Sequence, residues 1–151
     1  GLLTEYEESD SIVFEGLLNE AAEQMFLIKT YPGMRSEYLL TFLEKDIHTF
    51  FLELYESGTA NMKESPYSLR ELLKRGKKKQ CRFYCTSQQE EPIDFSGYVS
   101  ARSLWKEGAV PMGMLTTETV IALYYAASLV CDTQEELDRI MEAAASFTGN
   151  F

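Results

Sequence analysis

The stretch SEYLLTFLEKDIHTFFLELY, Ser36 to Tyr55, decides how the fold is read. Leu39, Leu43, Ile47, Phe50 and Leu54 recur three or four residues apart, and Leu40, Phe51 and Tyr55 widen the same stripe. That spacing is the mark of an amphipathic helix. Glu44, Lys45, Asp46, His48 and Glu53 mostly fall outside the stripe, on the side a helix turns to water. Ser36 stands where an N-cap is wanted, Glu37 sits in the first turn, and Gly58 suits the left-handed position past the end. The pattern predicts one long helix over residues 36–55.

Upstream, Val13, Phe14, Leu17, Leu18, Ala21, Met25 and Ile28 repeat the helical step, with Ser11 as N-cap and Tyr31-Pro32-Gly33 as the stop. Met25, Phe26, Leu27 and Ile28 make this first helix apolar on more sides than one face needs, which suits an internal position or a dimer or partner groove. Residues 1–10 are acidic and aperiodic, and are read as a frayed lead-in. Downstream, Ser65-Pro66, or Ser68 with Glu71, opens a short third helix that buries Leu69, Leu72 and Leu73 and ends at Gly76. The period then switches to two. Cys81, Phe83 and Cys85 alternate with Arg82, Tyr84 and Thr86, as in a half-buried strand. Ser87 to Pro92 supplies a turn, Ile93, Phe95 and Tyr98 to Ser100 a partner strand, and Gly97 a bulge. Residues 101–115 read as a loop. Thr116 or Thr117 caps a fourth helix to about Val130, and Asp132 and Thr133 open a fifth, with the stripe Leu137, Ile140, Met141 and Ala144.

The expectation is a mainly α fold, α+β only through a minor β-hairpin. About five helices form a bundle, with the second and fourth at its core. The hairpin, around residues 80–100, is inserted between the third and fourth. The 151 residues suit one domain over 1–151, with no repeat to divide them. The most apolar run, Val120 to Cys131, is too short to span a bilayer. Gly1 rather than Met opens the chain, as after removal of a leader or addition of a tag. Three cysteines, an odd and low number, favour a reducing cytoplasm over a disulfide framework. Cys81 and Cys85 lie about 13 Å apart along a strand, so they are read as core residues rather than half of a metal site.

The net charge of −10 argues against a surface drawn as a whole to nucleic acid or anionic lipid. It is unevenly spread: −9 over residues 1–66, +6 over 67–84 and −7 over 85–151. Half of the lysines and arginines lie between Arg70 and Arg82. Lys74, Arg75, Lys77, Lys78, Lys79 and Arg82 are therefore the candidate site for an anion or an acidic partner. The competing reading is that they serve a helix C-terminus, a strand edge and internal pairing with the protein's own acids.

Catalytic signatures are absent. His48 is the sole histidine, set among carboxylates on the polar side of its segment. Ser103 and Lys106 match the S-x-x-K spacing of serine acylases without its companion motifs, which chance explains. No catalytic residue, cofactor or metal is assigned. The sequence thus points to a small acidic intracellular protein-interaction or regulatory module without catalytic activity, working through helix faces, with a homodimer as one form. Two alternatives stand beside it. One is a binder of an anionic ligand, nucleic-acid backbone or acidic partner through Arg70–Arg82. The other is an enzyme with an unrecognised site, built on His48 or a cysteine with carboxylates. A protein partner or a second copy is expected, nucleic acid only through the basic segment, and no membrane.

Overall fold

A strand covered on both faces has no need to alternate polar with apolar side chains. That is the physics of Thr49–Leu54, TFFLEL, where Phe50, Phe51, Leu52 and Leu54 are all 0% exposed. The computed structural model describes residues 13, 15–55, 59–63, 65–89, 93, 95 and 99–148. Four strands form one parallel sheet in the order β1–β2–β3–β4: β1 Met25–Lys29, β2 Thr49–Leu54, β3 Arg82–Ser87 and β4 Ala109–Pro111. A 3₁₀ helix, Ser36–Glu44, joins β1 to β2, helix α1, Arg70–Lys78, joins β2 to β3, and helix α2, Val99–Lys106, joins β3 to β4. Helices α3, Thr117–Val130, and α4, Gln134–Thr148, follow β4.

The two faces of the sheet belong to different helices. Phe50, Leu52, Phe83 and Cys85 pack with Leu43, Leu72, Leu73 and Leu104 of the three connecting elements. Phe51, Tyr84 and Met112 pack with Val120, Tyr124, Leu137 and Met141 of α3 and α4. Alternation along β2 and β3 sorts these residues, and neighbours in register stack: Phe50 on Phe83 at 5.1 Å and Phe51 on Tyr84 at 5.9 Å. Each fully buried large side chain contributes about 2 kcal/mol of apolar transfer.

This α/β sandwich replaces the expected helical bundle. Residues 36–55 are not one helix: the 3₁₀ helix ends at Glu44, Lys45 and Asp46 turn, and β2 begins at Thr49. A run as apolar as FFLEL satisfies any period, so its helical spacing carried no information. The same holds for Met25–Ile28. Backbone is helical over 15–23, and Met25–Lys29 then forms β1 rather than a helix apolar on all sides. The hairpin is overturned as well. β3 lies parallel to both β2 and β4, and Ile93 contributes an isolated antiparallel bridge to Gly113. The stretch 101–115, expected as a loop, holds most of α2 and all of β4. The second segment is a 3₁₀ helix followed by a strand, so the expected core of helices two and four is replaced by the sheet. Helix α3 buries one side, through Val120, Tyr124 and Ala127, while Val130 stays 75% exposed.

Local punctuation fared better than period. Thr116 caps α3, its hydroxyl accepting the Thr119 N–H at 3.2 Å. Glu136 N–H donates to the Thr133 hydroxyl at the start of α4. The third helix begins at Arg70, after a turn in which Ser68 accepts the Arg70 N–H. Gly76 does not end it. It lies inside α1 because a Cβ there would run into the Phe83 ring. Ser36 opens the 3₁₀ helix without capping it, and its hydroxyl donates to the Ser68 carbonyl at 2.6 Å. The lead-in, Ser11, Gly58, Gly97 and Tyr98 lie outside the described residues.

Candidate functional site

After β4 the chain turns at Met112–Leu115 and crosses to the other face of the sheet. Gly113, at φ +61°, permits the turn, and its carbonyl accepts the Ile93 N–H. That crossing sets the N-terminus of α3 beside the carboxyl ends of β2 and β3, the side of a parallel sheet on which ligands bind. A cleft of about 410 Å³ opens there, lined by Glu53, Ser87, Gln88, Thr116, Thr117 and Glu118 among others.

Its polar groups are tied to one another. Glu53 accepts the Thr117 hydroxyl at 2.7 Å through one carboxylate oxygen and meets Lys29 Nζ at 3.0 Å through the other. The Thr117 hydroxyl also lies 2.7 Å from that of Thr86, which is 1% exposed. Glu53's backbone carbonyl accepts Thr30's N–H and hydroxyl, at 3.0 and 2.9 Å. Gln88 donates its side-chain amide to the Thr30 carbonyl at 2.5 Å. In the low dielectric of a sheet end such charge-assisted bonds hold donors and acceptors in fixed positions. The Glu53 carboxylate, the Thr116 and Thr117 hydroxyls and the Gln88 amide thus line one cleft, and Lys29 joins them through its ion pair with Glu53. This equips it to bind a small polar molecule that carries both charges.

The residues singled out from the sequence lie at the other end. Lys74, Arg75, Lys77 and Lys78 are on α1, and Lys79 and Arg82 lead into β3 at the amino edge of the sheet. They do not converge as one cluster. Arg75 pairs with Glu71 at 2.7 Å, one turn away, and Arg82 forks onto Asp138 at 2.9 Å. Lys77 Nζ donates to the Lys106 carbonyl at 3.2 Å and Lys79 Nζ to the Leu43 carbonyl at 2.5 Å. Lys74 and Lys78 are exposed on α1. Lys77, Lys79 and Arg82 border a common cavity, which Lys74, Arg75 and Lys78 do not line.

His48 is exposed at this amino edge, its backbone N–H donating to the Gln24 carbonyl. Cys81 lines the same cavity, but its thiol donates to the Ile47 carbonyl at 3.7 Å and burial pushes it up, away from the reactive thiolate. Burial raises the Cys85 thiol further. Ser103 turns its hydroxyl back onto the Val99 carbonyl, one turn down α2. Among the described residues no three of the His, Cys, Asp and Glu side chains are grouped to hold a metal ion, and no helix is long and apolar enough to cross a membrane.

No protein-family model and no curated protein sequence matches the chain. Solved structures do. L-asparaginase I from Vibrio cholerae O1 biovar eltor str. N16961 superposes with a TM-score of 0.67 at 20% identity, over 80% of this chain and 36% of that one. The thermostable L-asparaginase of Thermococcus kodakarensis gives 0.68 at 22% identity, over 85% and 38%. A probable cytoplasmic L-asparaginase from Campylobacter jejuni gives 0.56 at 16% identity, over 79% and 34%. The chain has an L-asparaginase-type α/β fold. It spans between 34% and 38% of the length of those three chains. The asparaginase-type fold overturns the helical interaction module that acts through helix faces, and with it the inclination against an enzyme. The first rested on a bundle that does not exist and the second on missing catalytic motifs, whereas the fold is shared with three structures described as enzymes.

Reading the sequence by period missed Glu53, Thr86, Gln88 and Thr117. A usable signal was present. Glu53 interrupts the apolar run of β2, Thr86-Ser87-Gln88-Gln89 follows that of β3, and Thr116-Thr117-Glu118 opens α3. Polar residues at strand ends mark a site only once the strands are known to be parallel.

Proposed function

We propose that the chain is part of an amide hydrolase of the asparaginase kind and that its share of the chemistry is to bind the amino-acid amide. The observation that carries this reading is the Glu53–Lys29–Thr117 constellation at the carboxyl edge of a fold shared with three L-asparaginases. An α-amino acid amide offers an ammonium for Glu53, a carboxylate for Lys29 and the first turn of α3, and a side-chain amide for Gln88. Hydrolysis adds water across the amide C–N bond and releases ammonia and the free acid. The Lys29–Glu53 pair opens to admit the two charges of such a ligand, since Lys29 is 68% exposed and Glu53 15%. A reducing, cytoplasmic location belongs to the same reading. Its supports are the free and buried Cys81 and Cys85, and the description of the Campylobacter structure.

Calorimetric titration with L-asparagine tests the reading. Saturable binding is expected, with L-aspartate weaker because its second carboxylate meets Glu53 and Glu118. Glu53→Gln, which keeps the shape and removes the charge, should weaken L-asparagine by about tenfold, the size of one charge-assisted contact. Equal affinity in the Glu53→Gln variant, or no binding by the unaltered chain, would overturn it.

A further inference from the structure

The amino edge of the sheet holds a second cavity, of about 630 Å³, at the far ends of the strands from Glu53. Lys77, Lys79 and Arg82 line it with His48 and Gln134, and Glu135 is the carboxylate among its lining residues. Cations outnumber acids there in a chain of net charge −10. The concentration has a structural cause. Helix α1 ends in a turn whose Gln80 takes a left-handed φ of 61°, so the backbone reverses between Lys79 and Arg82. The Lys79 N–H reaches the carbonyls of Arg75, Gly76 and Lys77, and the N–H groups of Gln80 and Cys81 reach Lys77 and Gly76. Main-chain donors thereby occupy the last carbonyls of α1, which otherwise present partial negative charge to an anion.

The cations are held rather than neutralised. The Lys77 and Lys79 ammoniums each spend one proton on a backbone carbonyl, of Lys106 and Leu43. Each keeps two more to donate. Arg82 differs. Its Nε and Nη2 engage Asp138 and its Nη1 the Gln80 carbonyl, so it fixes the wall and adds little free charge. Tethered ammoniums cost less entropy on binding than free surface lysines do.

We propose that this amino-edge cavity binds a small phosphate-bearing anion. Lys77 and Lys79 supply the charge, and His48 and Gln134 supply hydrogen-bond donors. A phosphate group carries close to two charges and accepts from several directions, which suits two point-charge ammoniums better than a single carboxylate does. This site is separate from the carboxyl-edge cleft and stands whether or not that cleft binds an amino-acid amide.

The test is equilibrium binding of inorganic pyrophosphate and of a nucleoside diphosphate to the full chain at matched ionic strength. Both should bind, and tighter binding of the nucleotide would assign the site to nucleotides rather than to the free ion. Lys77→Gln with Lys79→Gln should weaken pyrophosphate by about tenfold or more. Lys74→Gln with Lys78→Gln removes the same charge from outside the cavity and should change affinity less than about twofold. Equal losses from the two pairs would mean diffuse attraction and overturn the proposal, as would no binding by the unaltered chain. A second readout needs no substitution: pyrophosphate should shift the His48 imaidazole proton resonances in the unaltered protein. Unmoved resonances at saturating pyrophosphate would equally overturn it.

Discussion

The two edges of the sheet are built from the same strands and differ in what their polar groups face. At the carboxyl edge, Glu53, Thr86, Thr117 and Lys29 bond mainly to one another across four elements, and Glu53 and Thr117 line an open cleft. At the amino edge, Arg82 is committed to Asp138, while Lys77 and Lys79 are fastened to backbone carbonyls with donors to spare. A cluster conspicuous in the sequence is therefore divided in space, and one invisible in the sequence is assembled. Proximity along a chain is a poor guide to charge convergence. Strand ends are a good one, because parallel strands bring all their carboxyl ends to one side.

Substitutions can break or sharpen this contrast. The largest effect is expected midway between the edges. Leu52→Ala removes a fully buried side chain from the centre of β2 and should cost about 3 kcal/mol in urea unfolding, weakening both edges alike. Next comes Gly76→Ala. Its new Cβ meets the Phe83 ring, so the amino-edge helix must shift, at about 2 kcal/mol by thermal unfolding. Thr117→Val probes the carboxyl edge. It leaves the Thr86 hydroxyl buried without its partner and takes a donor from Glu53, a loss of about 1.5 kcal/mol by chemical denaturation. Thr116→Ala deletes the α3 cap without touching Glu53 and should cost about 1 kcal/mol by thermal unfolding.

The smallest effect belongs to the Glu71–Arg75 pair on the exposed side of α1. The Arg75 hydrogen bond holds the Glu71 carboxyl below its ordinary range. Its contribution is therefore present above the usual carboxylate range and is lost as pH falls through the lowered value. Following the Glu71 side-chain carbon by NMR should show that lowered midpoint, and Glu71→Gln should leave Tm unresolved from the parent. A normal midpoint would place Arg75 free of its acid.

How much was legible follows the same line. Caps depend on a few neighbouring residues, so Thr116 and Thr133 were readable, whereas the helix expected to stop at Tyr31-Pro32-Gly33 ends at Glu23 and the turn there follows β1. Strands covered on both faces were not readable. Phe50–Leu52 is uniformly apolar because helices lie on each side of it, Met25–Ile28 is equally apolar in the edge strand, and a uniform run fits a helical stripe as readily as a strand. Only β3, with its alternation of Arg82, Phe83, Tyr84 and Cys85, was read as a strand, and its partners were sought next in sequence rather than across crossovers. The carboxyl-edge cleft could not be read before the sheet, since Glu53, Thr86 and Thr117 come from three separate segments.

The most direct test of the central claim is a residue-resolved NMR shift map of the chain during titration with L-asparagine. Shifts concentrated at Glu53, Gln88 and Thr117, with Lys77, Lys79 and His48 unmoved, are the expected result. Shifts concentrated at the amino edge, or none at saturating L-asparagine, would contradict the assignment of amide binding to the carboxyl edge.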